Sequence, residues 1–85
     1  MPTISSFYGI KISMNYRDHA PPHFHAEYQD YEAIIEIANG AVTGRMPRRA
    51  LNLIWLWLDE HRDELDANWQ LALDRRPLQP IDPLP

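Results

Sequence analysis

The sequence predicts an α+β domain: a three- to four-stranded antiparallel sheet followed by a C-terminal helical hairpin packed on one face. Three observations predict it. Apolar and polar residues alternate through much of the first half, as they do in strands with one buried face. The pair Asn39-Gly40, a strong short hairpin signal, interrupts that alternation. Past Pro47 the apolar spacing lengthens to the period of a helix.

The first strand is expected over Phe7 to Tyr16, where Tyr8, Ile10, Ile12, Met14 and Tyr16 alternate with Gly9, Lys11, Ser13 and Asn15. Asp18 to Pro22 breaks it, because adjacent prolines do not sit inside a paired strand. A short strand follows over Phe24 to Gln29, and another over Tyr31 to Ala38. In the latter Tyr31, Ala33, Ile35 and Ile37 share one face, and Glu32 and Glu36 the other. Asn39-Gly40 then opens a hairpin into a brief strand around Ala41 to Arg45.

Pro47 suits a helix start, where its missing N–H costs nothing. From there Ala50, Ile54, Trp57, Leu58, His61 and Leu65 form one helical face. Leu51, Leu53, Trp55 and Leu56 widen it so far that the helix must be sandwiched or lie at an interface. Asp63 would cap a second helix over Glu64 to Arg75, with Trp69, Ala72 and Leu73 turned inward. One bent helix is the alternative to this hairpin. Residues 1–76 make up the domain and 77–85 a proline-rich tail.

The tail repeats every three residues. Pro77, Pro80 and Pro83 fall along one edge of a polyproline II helix, and Leu78, Ile81 and Leu84 along another. Such a strip is expected to dock on its own domain or a neighbouring chain; an unstructured end is the alternative, since termini are often poorly ordered. Trp55, Leu78, Ile81 and Leu84 are the candidate interface residues.

Composition narrows the chemistry. With no cysteine, thiolate zinc sites and cysteine nucleophiles are excluded. A net charge of -4 argues against a general nucleic-acid surface, although a local patch leaves RNA open as a less favoured partner. No apolar run has the length of a membrane span and no leader pattern opens the chain, so the cytoplasm is the expected setting and no membrane the expected partner. At 85 residues the fold has little volume for a deep pocket, so any site should lie on an open surface or be completed by another chain.

His19, His23 and His25 fall in one short stretch, Asp18-His19-Ala20-Pro21-Pro22-His23-Phe24-His25-Ala26-Glu27. On a strand His23, His25 and Glu27 point to one face and Phe24 and Ala26 to the core. Three readings stand side by side. Two imidazoles at i and i+2 would bind a divalent transition ion such as zinc, with His19, Asp18 or Glu27 as third ligand and a position left open. Alternatively, His19, His23 and His25 would supply the acid and base of a metal-independent nuclease. The third reading is a polar strand whose histidines hydrogen-bond locally or touch a partner.

Arg45, Arg48 and Arg49 are the candidate anion-binding group, because a helix N-terminus already favours phosphate. In the nuclease reading Arg48 and Arg49 would steady that phosphate. A solvated surface, or pairing with Glu32, Glu36 or Asp59, is the simpler and favoured explanation. His61, between Leu58 and Leu65, reads as a core histidine with a hydrogen-bond partner.

Several segments carry a family resemblance: Pro2 to Ile12, His19-Ala20-Pro21-Pro22-His23-Phe24-His25-Ala26-Glu27-Tyr28, Pro47-Arg48-Arg49-Ala50-Leu51, His61-Arg62-Asp63-Glu64-Leu65, Asn68-Trp69 and Pro77-Leu78. Together they resemble the bacterial family known as domain of unknown function 4160. Arg48 stands where such sequences commonly have lysine, which keeps the charge. The resemblance implies a small cytosolic protein often encoded beside a second small protein, as in toxin–antitoxin pairs. It transfers no catalytic residue. The expected function is therefore a component of a toxin–antitoxin-like pair, acting through an interface with a small partner from an adjacent gene or with its own copy. The alternative is an enzyme, a histidine-based ribonuclease or a metal-dependent hydrolase.

Overall fold

At Tyr8-Gly9 the chain doubles back, with φ of 51° and 80°. The computed structural model, which describes residues 2–85, therefore has two strands, β1 (Thr3–Phe7) and β2 (Ile10–Ser13), where the alternation predicts one. Two positive φ values in a two-residue loop match the right-handed twist of the flanking strands. The buried set shifts from odd positions (Ser5, Phe7) to even ones (Ile10, Ile12) across this turn, and Tyr8 extends the even-numbered pattern backwards, which makes the two strands read as one. Phe7 pairs with Ile10 and Ser5 with Ile12, keeping the buried positions on one face. Tyr8 is 61% exposed, a turn residue and not a core one.

Three more strands follow, β3 (His23–Tyr28), β4 (Tyr31–Glu36) and β5 (Val42–Gly44). Each pairs antiparallel with the next, giving the order β1-β2-β3-β4-β5. The sheet thus has five strands where three or four were expected, and the hidden hairpin supplies the extra one. The Asn39-Gly40 turn is present: Gly40 has φ 72°, and its N–H donates to the Glu36 carbonyl at 2.8 Å. Gly44 has φ 111°, and a Cβ there would meet the Glu32 carbonyl oxygen at 2.6 Å, so β5 can lie this close to β4 only with glycine.

The predicted helical hairpin is replaced by a single helix, α1 (Arg48–Leu73). His61 leaves helical geometry at φ -125° and ψ 21°, and the helix resumes beyond it. No glycine or proline stands near Asp63 to reverse the chain, so the interruption produces a bend and no turn. Arg62 ties this bend to the sheet by donating from Nε to the Ile37 carbonyl at 2.9 Å. The side chain of His61 meets Glu64, Nδ1 to Oε1 at 2.6 Å. The helix closes through Arg75 at φ 56° and an Arg76 N–H to Leu71 carbonyl bond of 2.8 Å, just before Pro77.

Ile10, Ile12, Phe24, Ala26, Ala33 and Ile35 of the sheet pack against Ile54, Trp57, Leu58 and Leu65 of α1. Trp57 is fully buried, with the rings of Phe7 and Phe24 at 5.3 Å and 5.7 Å. The helix covers this face of the sheet, and the alternate residues of β3 and β4 point away from it, except His23 at the start of β3, which meets Trp69 of α1. Leu56, on the outer side of α1, is 55% exposed. Among the described residues no helix is long and apolar enough to cross a membrane.

The tail docks on its own domain. Ile81 is buried and its N–H donates to the Ile4 carbonyl at 2.8 Å, while Leu78 and Leu84 pack against the core. Buried Asn68 pins Gln79 from both sides, donating to its carbonyl at 2.9 Å and accepting its N–H at 2.8 Å. Trp57 Nε1 donates to the Asp82 carbonyl, and Tyr8 Oη to that of Pro85.

Candidate metal centre

Strand alternation in β3 sends Phe24 and Ala26 into the core and leaves His23, His25 and Glu27 on the other side. The loop from Met14 to Pro22 brings further groups to the same place. Met14 N–H donates to the Pro2 carbonyl and Arg17 N–H to that of Ala72 at the end of α1, so the loop is held from both sides. It contains a cis peptide bond between Ala20 and Pro21.

Asp18 leaves this loop pointing at the two histidines. Its Oδ2 lies 2.9 Å from His23 Nε2 and 3.4 Å from His25 Nε2. One ligand atom from each of Asp18, His23 and His25 lies within 4.8 Å of the others. His23 is buried against Trp69, with ring centroids 5.2 Å apart. The side chains of His25 and Asp18 remain 20% and 18% exposed, so the group is reached from solvent on one side.

The tautomer of His23 follows from its neighbours. Its Nδ1 lies 2.9 Å from the Pro21 carbonyl oxygen, which can only accept, so Nδ1 carries the hydrogen. Nε2 then faces the Asp18 carboxylate either with a second proton, as imidazolium, or with its lone pair. Two lone pairs facing each other at that distance repel unless a cation lies between them. A histidine that donates one ring N–H to a backbone carbonyl and offers the other nitrogen is the usual arrangement of a metal ligand.

Burial opposes the charge on Asp18, but hydrogen bonds from the His19 N–H, His23, His25 and Asn15 outweigh it. The carboxyl pKa is held at about 2, below its ordinary 3.8. A carboxylate that stays ionised is also the form that binds a cation.

The sequence-predicted residues distribute unevenly. His23 and His25 come together with Asp18. His19 is exposed and contributes its backbone N–H to Asp18 Oδ1 at 2.8 Å, while Glu27 pairs with Lys11 at 3.6 Å. Arg48 lies over the Trp55 ring at 5.7 Å, Arg49 lines a cavity of about 330 Å³ with Tyr8, Tyr28 and Tyr31, and Arg45 borders Asp30 and Glu32. Positions 49 and 69 are separated by roughly 30 Å of helix at about 1.5 Å per residue, so Arg48 and Arg49 stand at the far end from the histidines. Trp55 is half-buried and donates from Nε1 to the Gly40 carbonyl at 2.9 Å. Asn15, which carries no ionisable group to mark it in the sequence, lies 3.3 Å from both Asp18 Oδ2 and His25 Nε2.

Beside His25 a cavity of about 390 Å³ crosses the uncovered face of the sheet, between Glu27 and Glu32 on one flank and Ile34 and Thr43 on the other. The family model described as Domain of unknown function (DUF4160) matches residues 9–70, a stretch holding four of the strands and most of α1. No curated protein and no solved structure matches the chain.

Proposed function

Because the chain belongs to the DUF4160 family, with Asp18, His23 and His25 all inside the matched residues, we propose that this histidine motif is a mononuclear metal centre serving a metal-dependent hydrolase. The observation that carries the reading is His23: Nδ1–H is committed to the Pro21 carbonyl, and Nε2 converges with His25 and Asp18. Two imidazoles and one carboxylate suit a divalent first-row ion and leave positions for water and substrate. Such an ion lowers the pKa of bound water towards about 7 and polarises the bond under attack. Substrate would approach over the uncovered sheet face beside His25. Acid–base catalysis without metal is less favoured, since both His23 nitrogens are already engaged and Arg48 and Arg49 are remote.

Protein purified without a histidine tag and equilibrated with zinc, manganese or cobalt is expected to retain one equivalent of ion after desalting. The His23→Ala, His25→Ala double variant should retain none and lose turnover of an activated phosphodiester. A wild type that retains none of the three ions overturns the reading.

A second reading, a component of a toxin–antitoxin-like pair, is favoured by a separate observation. The tail covers the outer edge of β1 through Ile81, but no described residue covers the outer edge of β5. A free strand edge is a place where a partner strand adds.

A further inference from the structure

We propose that Asn15 is a fourth ligand of this centre, binding through its side-chain carbonyl oxygen. The inference rests on the reading of Asp18, His23 and His25 as metal ligands. Four separations carry it. The terminal amide position of Asn15 lies 3.3 Å from Asp18 Oδ2 and 3.3 Å from His25 Nε2. Asp18 Oδ2 lies 2.9 Å from His23 Nε2 and 3.4 Å from His25 Nε2.

Read as hydrogen bonds, three of these four are long, since N–H···O bonds run from about 2.7 to 3.2 Å. Read as edges of a coordination polyhedron, all four fit. Donors about 2.1 Å from a common ion stand roughly 3.0 Å apart at right angles and roughly 3.4 Å apart at the tetrahedral angle. His25 in particular has no short partner at Nε2 and two neighbours at ligand-edge distance. The two ends of an amide have the same shape, and a half-turn about the terminal bond exchanges them. Without an ion the NH₂ group faces the acceptors; with one, Oδ1 takes its place.

The fold keeps Asn15 there. Its neighbour Met14 is fully buried, and backbone bonds at Met14 and Arg17 fix the chain on both sides. The resulting donor set, two imidazole nitrogens and two oxygens, suits zinc, iron, cobalt or manganese and disfavours the soft cuprous ion.

The test uses the full chain with zinc and cobalt(II) as probes, titrated by calorimetry and by the visible absorption of bound cobalt. Asn15→Ala should weaken zinc binding by at least about tenfold and change the cobalt spectrum. Asn15→Asp, which keeps an oxygen in the same place, should bind at least as tightly as the wild type. An Asn15→Ala variant with unchanged affinity and spectrum, or an Asn15→Asp variant that binds no better than Asn15→Ala, overturns the fourth ligand while the centre itself stands. If the His23→Ala, His25→Ala variant binds zinc as the wild type does, the underlying reading falls instead.

Discussion

The carboxylate of Asp18 joins the loop to β3, and in the metal-free protein it should set the acid limit of the fold. Burial raises its pKa, but the His19 N–H and the side chains of His23, His25 and Asn15 lower it further, to about 2 from 3.8. The folded state therefore binds this proton later than the unfolded chain does. Its contribution to stability is complete above about pH 4 and disappears as the pH falls through about 2. Asp18→Asn should lower the urea midpoint at neutral pH and flatten its decline between those two values. An unchanged slope would show that Asp18 does not carry it. At this scale the sequence revealed the histidine pair because β3 is periodic and alternation places i and i+2 together. It left Asp18 as one of three candidate third ligands, because the loop from Met14 to Pro22 has no period from which to read direction. Asn15 gave no signal, since an amide resembles any other polar loop residue until its neighbours are known.

The elements most legible in the sequence were those closed by local chemistry. Asn39-Gly40 announced its hairpin, and Pro47 the start of α1. The β1–β2 hairpin was hidden because Tyr8, in its turn, is an aromatic residue in phase with Ile10 and Ile12 and so looked like a buried strand position, although the buried residue before the turn is Phe7. The helical hairpin was overcalled at Asp63, where capping chemistry is present but no residue turns the chain back. The tail packs on its own domain, one of the placements its threefold repeat allows, yet its receptor was beyond sequence reasoning, since Asn68 lies on a helix face among apolar residues and resembles an isolated polar intrusion. Its side chain makes two hydrogen bonds to the backbone of Gln79. Asn68→Ala would remove both bonds to the Gln79 backbone and should cost about 1–3 kcal/mol. Urea denaturation should show this loss, with faster amide exchange at Ile81. A variant as stable as wild type would mean that the tail is held by its apolar contacts alone.

On the scale of the whole molecule, the uncovered parts of the sheet decide how a partner would bind. The pairing Glu36 N–H to Ala41 carbonyl and Arg45 N–H to Glu32 carbonyl fixes which backbone groups of β5 face inward. Alternation along an antiparallel ladder then turns Thr43 towards β4 and directs the N–H and C=O groups of Val42 and Gly44 outward. Those outward groups would receive an added strand. The short length of β5 limits indiscriminate pairing without preventing a specific one. Co-expressed with the product of its neighbouring gene, the chain should elute as a single complex in size-exclusion chromatography. Val42→Pro removes an outward N–H and leaves the inward bonds of Thr43 in place, so it should release the partner while the variant retains a cooperative thermal transition. Two separate wild-type peaks at micromolar concentration would defeat the pairing. A complex that survives Val42→Pro would place the partner on another surface, the exposed side of α1 around Leu56 being the next to examine.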